Sequence, residues 1–516
     1  MSESSRAAKS VSIMIVFGLA SNMLGFIREM LIASKFGSGE ETDAFFIALA
    51  ATSLFTAVIT QSLNTTMIPI LSEIENNEGI IGKKNHTNNL LNIIILISII
   101  IVFLGLIFSP NIIKLLAYGF EGGQLDLAVT MFRIGMPVVI FSGVVGIYRG
   151  YLQSESMFIE SSVSQLPFNF TYIFFLIFLS SMFGIRGLMV TSVLAVCSQI
   201  FIQIPGVRKT GYRYSLKVNF KDPYIKKIMF LVMPVLVSVA VNDLNKIIDK
   251  SLASTLLVGS ISALNYSARL NRLVMVVFIT AIATVLFPML SKEAAKDSYD
   301  SFKILMRYGI NIILIITIPT TIGILLLSEP IVKLIFERGA FDSTATYMTS
   351  QALIFYSLGL VGMALRTFME RAYYSLHDTK TPMMNGFITV GLNIVLNFIL
   401  IGPMEYKGLA LGTAIATTVT TGFLFYGLKR KIGPLGFTFI SSCAMKSLSS
   451  AMVMGITILF IYNILIDRVS SSALIEGSIL LITIGIGAIV YLTTLYLLKV
   501  DEIIWFINLF RKRFKI

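Results

Sequence analysis

The sequence predicts an all-α polytopic membrane protein of fourteen transmembrane helices, built as two pseudo-symmetric six-helix lobes plus two C-terminal helices. Three observations lead there. Hydrophobic residues make up 55% of the chain and charged ones 13%, where soluble domains carry about 25% charge; mean hydropathy is +0.83. The apolar residues gather into runs long enough to cross a bilayer of about 30 Å. A set of motifs also recurs, in order, at a nearly fixed offset.

The apolar runs place spans at 8–34, 42–72, 89–109, 128–154, 161–183, 185–206, 225–253, 261–291, 303–327, 345–376, 383–402, 406–428, 443–464 and 475–498. Several exceed what a bilayer needs, which permits tilt. Basic residues then orient them. Arg208, Lys209, Arg213, Lys217, Lys221, Lys226 and Lys227 lie between spans six and seven. Lys429, Arg430 and Lys431 follow span twelve, Arg511, Lys512, Arg513 and Lys515 end the chain, and Arg6 and Lys9 precede span one. An even number of spans separates these groups, so all fall on one side, and the positive-inside rule makes that side the cytoplasm. Both termini are therefore expected there. The net charge of +13 is a topology signal with attraction to anionic lipid, and it does not point to nucleic acid. MSESSRAAKS leads straight into a long apolar helix, so no cleavable signal peptide is expected. Cys197 and Cys443 lie in or beside apolar segments and His86 and His377 in polar loops. Nothing in their spacing supports a disulfide, a thiol nucleophile or a metal site.

The repeat is carried by four matches. MIPILSEIE (67–75) matches LFPMLSKEA (286–294), with Pro69 opposite Pro288 at an offset of 288 − 69, or 219. NIIKLLAYGF matches PIVKLIFERGAF, with Lys114 opposite Lys333 at the same offset. YRGYLQS matches MERAYYS, with Arg149 opposite Arg371, and IRGLMVTS matches YKGLALGT, with Gly187 opposite Gly408. The expected organisation is thus an N-terminal lobe over 1–210, a second lobe over 211–430, and two more spans with a basic tail over 431–516. Six is even, so both lobes share one topology, as in parallel-repeat transporters that work by alternating access. A membrane-embedded lipid enzyme is the competing class, but the spans hold no paired carboxylates, histidine–metal set or Ser/His pair to support one.

Candidate cavity residues follow from charges inside spans. Arg28 and Glu29 sit in span one, where a charge near the bilayer centre costs about 2.5–3.5 kcal/mol on insertion scales. A polar cavity is the expected home for Arg28, and snorkelling to the interface the alternative. Span seven carries Asn242, Asn245, Lys246 and Asp249 at i, i+3 and i+4 spacing. Asp249 there either ligates a small cation or pairs with Lys246, and spacing alone leaves this open. Arg269 and Arg272 open span eight. Arg269 is expected in the cavity, where with Arg28 it would clamp a phosphorylated substrate, and Arg272 at the interface. Asn393 and Asn397 stack at i, i+4, which by itself reads as interhelical hydrogen bonding. Arg366, Glu370 and Arg371 read as an intrahelical ion pair with no further role.

These residues carry a resemblance. GFIREMLIASKFGSGEETDAFFIA is similar to the N-terminal signature of the MurJ (MviN) lipid II flippase family of the MATE-like (MOP) exporter superfamily. MIPILSE, ISALNYSARL, LFPMLSKEA, LIFERGAF and RAYYSLHDTKTP resemble that family too, across both lobes and in order. The resemblance implies a transporter and not an enzyme. It would move the undecaprenyl-pyrophosphate-linked peptidoglycan precursor across the bacterial cytoplasmic membrane, among membrane lipids and alongside the cell-wall synthesis machinery. It implies substrate contacts at Arg28, Glu29, Asp43 and Arg269, with Arg272 beside them, and no cofactor. It also implies a sodium site, present in some members, at Asp249, Asn393, Asn397, the Leu409 carbonyl and Thr413. The sequence departs from the family pattern at three places. Asn22 stands where a further arginine is usual, SLFTAVITQSLNTT replaces an arginine-bearing second span, and Asn397 replaces a common aspartate. The cavity is therefore less positive than the pattern, and a different lipid-linked oligosaccharide is the alternative cargo. A multidrug or cation antiporter fits less well, because an arginine clamp repels cationic drugs.

Overall fold

The computed structural model describes residues 3–296, 298–466 and 473–504, with side chains except those of 3–16, 58, 61–62, 64–65, 233–244 and 473–474. Arg6, Lys9, Asn242 and the basic tail from Arg511 lie outside the described side chains. Every regular element among the described residues is helical. Among the described residues ten helices are long and apolar enough to cross a membrane, or up to eleven if one bent pair counts as a single span. The expected spans 8–34, 42–72 and 225–253 are helical as well, and each includes side chains outside the described set.

The described chain forms two compact units, 1–262 with 338–341, and 263–337 with 342–516. In the first, α1 (Glu3–Phe36) is followed by α2 (Glu40–Ile107), α3 (Ser109–Leu116) and α4 (Gly122–Gly135). Then come α5 (Val138–Ser154), α6 (Phe158–Val163), α7 (Gln165–Phe178), α8 (Ser180–Lys209) and α9 (Pro223–Ala253). Gly79, at φ 72°, breaks α2 between the second and third expected spans, a backbone setting that side chains with a Cβ rarely adopt. α2 is the hub: α4, α5 and α9 all pack on it. The compact unit therefore extends past residue 210 to take in α9.

Between α8 and α9, residues 211–222 form a strap laid along α2. Asn88, Asn89 and Asn92 share one side of α2 by their spacing. Asn88 Nδ2 donates to the Arg213 carbonyl at 3.0 Å, and Asn92 Nδ2 to those of Ser215 at 3.0 Å and Lys217 at 2.9 Å. Asn89 donates to the Asn219 carbonyl at 3.0 Å and accepts from the Asn219 N–H at 2.7 Å. Tyr212 and Tyr214 donate to Asn88 and Asn92. Asp222 closes the strap. It accepts from Asn89 at 2.9 Å, meets His86 Nδ1 at 2.6 Å, and caps α9 through Tyr224 N at 2.9 Å. Pro223 follows at the first helical position, where its missing N–H is harmless. Close by, Lys83 is buried between Glu75 at 2.8 Å and Glu155 at 2.7 Å.

The second unit begins inside α10 (Ser260–Val274), after Ser262, and continues with a π-helical turn (Met275–Ile279), α11 (Thr280–Ala294), α12 (Asp300–Phe336) and α13 (Ser343–Ser357). α14 (Leu360–Ser375), α15 (Lys380–Met404), α16 (Tyr406–Ile432), α17 (Phe437–Ile466) and α18 (Ala473–Leu497) complete it. α13 and α14 meet at a bend of 50°. Aspartates begin two of these helices: Asp342 accepts from Ala345 N at 2.8 Å and Asp378 from Thr381 N at 3.0 Å, the usual N-cap service. α12 is the hub here. One face meets α14 through Ile310, Met306 and Phe368. Another meets α17 and α18 through Ile315, Leu327, Met454 and Tyr491, and Tyr491 Oη donates to the Ile315 carbonyl at 2.8 Å. The two C-terminal helices, outside the repeat, are thus built into the core of the second unit.

Candidate functional site

Arg28 is held against α7. Its Nη2 meets Glu29 Oε1 at 3.0 Å and its Nη1 donates to Asn169 Oδ1 at 3.5 Å. The guanidinium lies over the rings of Tyr172 at 4.9 Å and Phe168 at 5.4 Å, within the range of cation–π attraction. Asn169 is itself fixed by donating to the backbone and hydroxyl oxygens of Ser21, each at 3.2 Å. Neither guanidinium nor carboxylate is fully used: Arg28 Nε and Glu29 Oε2 are buried without hydrogen-bond partners. Phe168, Asn169 and Tyr172 were not singled out by the sequence reading. Their spacing of i, i+1 and i+4 inside an apolar span was the available sign, with Asn169 the polar residue needing a reason.

Asp43 is 2% exposed, in the first turn of α2. Its carboxylate accepts from Gly259 N at 2.7 Å, Ser262 N at 2.8 Å and the Ser262 hydroxyl. It therefore serves as a cap, supplied from another helix, for the orphan N–H groups that open α10. Gly259, at φ 90°, turns its N–H toward that carboxylate. Lys250 of α9 donates to the Phe46 carbonyl at 3.0 Å, one turn further along α2.

The other expected residues divide between the units. Asp249 lies half-buried on α9 in the first. Arg269, half-buried, and Arg272, exposed, lie on α10 in the second, just before the π-helical turn. π-Helical turns often mark functional positions. Four members of the expected sodium set do come together, on α15 and α16. Asn397 Nδ2 donates to Asn393 Oδ1, Asn393 Nδ2 to Thr413 Oγ1, and Thr413 Oγ1 to the Leu409 carbonyl, each at 3.1 Å. These are neutral oxygen donors of the kind hard cations accept. Further along, Arg366 Nε pairs with Glu370 at 3.0 Å as expected, and its Nη1 donates to Thr389 at 2.7 Å. Among the described residues no cluster of three or more His, Cys, Asp or Glu is placed to hold a metal ion.

Sequence comparison now decides the family. The profile of the lipid II flippase MurJ family matches residues 32–484. The chain belongs to that family. A probable lipid II flippase MurJ from Rickettsia prowazekii is 30% identical over 487 residues, covering 93% of this chain and 95% of its own. The lipid II flippase MurJ of Burkholderia cenocepacia is 25% identical, covering 80% and 82%. Among solved structures, a lipid II flippase MurJ in an inward closed conformation matches with a TM-score of 0.78 at 26% identity, over 93% of this chain and 97% of that one. A multidrug resistance MATE transporter of the MOP superfamily shares the fold at a TM-score of 0.69 and 14% identity, over 81% and 96%. Family membership makes this a multi-pass membrane transporter and not an enzyme.

Proposed function

We propose that this chain is a lipid II flippase, carrying the undecaprenyl-pyrophosphate-linked peptidoglycan precursor across the bacterial cytoplasmic membrane by alternating access, where cell-wall synthesis machinery takes it up. The observation that carries the reading is the guanidinium of Arg28, placed on an aromatic wall with a buried, unpartnered Nε. A planar fork of donors suits phosphate oxygens. We assign the first unit's head-group contact to Arg28, steadied by Glu29, and the second unit's to Arg269, with Arg272 nearer the interface.

The topology that goes with this function has fourteen spans, lobes over 1–210 and 211–430, two added spans, and both termini in the cytoplasm. The basic residues gathered before α9 and at the end of α16 support that orientation. Sodium is the coupling ion we assign, held by Asn393, Asn397, Thr413 and the Leu409 carbonyl with Asp249 as the charged member. It is tested by sodium-dependent transport in vesicles, which Asn393→Ala should abolish.

The deciding experiment is complementation. The lipid II flippase of a bacterium is depleted and this chain expressed as wild type, Arg28→Ala or Arg269→Ala. Rescue by wild type that is lost in both variants at equal membrane levels supports the reading. No rescue despite correct insertion turns the assignment to another lipid-linked oligosaccharide, the cargo that Asn22 and the arginine-free second span would favour.

A further inference from the structure

A second cationic site lies inside the first unit. Arg149 of α5 lines a cavity of about 270 Å3 with Ser142, Gln165, Phe168, Gln199 and Thr60. The volume is well above the share of about 30 Å3 that one water takes, so a tetrahedral oxyanion fits. Arg149 Nη2 donates to Gln199 Oε1 at 3.3 Å, and its Nε is buried without a partner. No lining residue is a carboxylate, and among the described residues no carboxylate pairs with Arg149. An uncompensated guanidinium within a span is costly to keep. The remaining polar groups, two amides and two hydroxyls, can all donate to an anion. Phe168 belongs to both sites, because it lines this cavity and lies under Arg28.

We propose that the Arg149 cavity is a second anion subsite, taking a phosphate-class oxyanion on the Arg149 guanidinium with help from Gln165 and Gln199. Two guanidiniums sharing one aromatic wall suit a group with two charged centres, as a diphosphate has. The source of the phosphate is either the lipid-linked pyrophosphate or a membrane phospholipid. The first source rests on the flippase reading, and binding of free pyrophosphate does not.

The test is a binding titration by native mass spectrometry on the purified full-length chain. The probes are sodium pyrophosphate, lipid II and phosphatidylglycerol, against wild type, Arg149→Gln, Arg149→Lys and Val196→Phe. Val196→Phe fills the cavity from α8 without removing the Arg149–Gln199 bond, and it carries the test where Arg149→Gln does not fold. The expected result is a rise of about tenfold in the pyrophosphate Kd for Arg149→Gln and Val196→Phe, as for a lost charge-assisted hydrogen bond, with a smaller rise for Arg149→Lys. A matching loss for lipid II alone identifies the lipid-linked source, and a loss for phosphatidylglycerol alone identifies the phospholipid. Arg149-dependent pyrophosphate binding without any lipid II binding keeps the subsite and removes the flippase reading. Unchanged affinity for all three probes in both variants, with or without a fall in Tm, overturns the subsite and leaves Arg149 a packing residue.

Discussion

The sequence match sets Arg149, on α5, opposite Arg371, on α14, and the two are used differently. Arg149 is drawn into a cavity with Gln199 as its neighbour. Arg371 is exposed and lies over the Phe287 ring at 5.7 Å. The neighbouring residues account for this. α14 carries Arg366 and Glu370, which pair along the helix. α5 has no acidic residue within its own length and instead places Ser142 and Gly146 on the cavity wall. Elsewhere the two units differ the other way. The first holds ionised groups within its helices, Arg28 with Glu29 and Asp43 on the start of α10. The polar cluster on α15 and α16 is neutral, made of amides, a hydroxyl and a carbonyl. Where the sequence sets two positions opposite each other, the ionised chemistry follows whichever side chains surround each one.

The largest effect that would break this contrast is at Arg28. Arg28→Ala leaves Glu29 buried and uncompensated, and removing one partner of a buried pair costs about 3–5 kcal/mol. The variant should unfold at clearly lower Tm in detergent, and adding Glu29→Gln should restore most of the loss. Next is Asp43→Asn. It removes the charge from three hydrogen bonds at the start of α10, where bonds to a charged group are worth about 1.5–3 kcal/mol, and a lower Tm is the readout. Asn89→Leu comes third. It takes the Asn89 amide away from the Asn219 N–H and carbonyl, and limited trypsin digestion should then cut faster after Arg213, Lys217 and Lys221.

A pH effect is expected at Asp378, in the second unit's loop before α15. Partial burial works against its charged form. The Thr381 N–H and hydroxyl and the Lys431 ammonium at 2.9 Å outweigh that and hold its carboxyl below the usual carboxylate range. A folded value below the unfolded one gives stability that is present above the unfolded pKa of about 3.9 and is lost as pH falls through the folded value. The Tm difference between wild type and Asp378→Asn should therefore hold at neutral pH and close as the solution is acidified past about pH 4. The smallest effect is Arg371→Ala, which should cost no more than about 1 kcal/mol, as for an exposed cation–π contact. Arg149→Ala in parallel should change anion binding, where Arg371→Ala should not.

The helical plan was legible because long apolar runs are written in consecutive residues. The interruptions were not. The breaks near Pro137, in the π-helical turn from Met275 to Ile279 and at Gly359 fall inside runs that stay largely apolar, so composition passes over them. Arg28 was legible as a charge within a span. Its support on α7 was not, because Asn169 lies 141 residues away. The capping of α10 by Asp43 was out of reach, since it depends on Gly259 and Ser262 arriving from 216 and 219 residues downstream. Arg149 was visible only as a marker of the repeat, because its cavity exists once α2, α5, α7 and α8 are packed.

The strap before α9 changes how the chain should be handled in the laboratory. Its sequence, basic and without a continuous apolar run, looks like the natural place to splice in a reporter domain or an epitope. Tolerance of an insertion depends on how the local backbone is bonded, and here the carbonyls of Arg213, Ser215, Lys217 and Asn219 are all taken by side chains of α2. A tag inserted between 213 and 219 would put those amides out of register with their acceptors and loosen the first turn of α9 through Asp222. Cell biologists who wish to follow this protein in living membranes should leave that stretch intact.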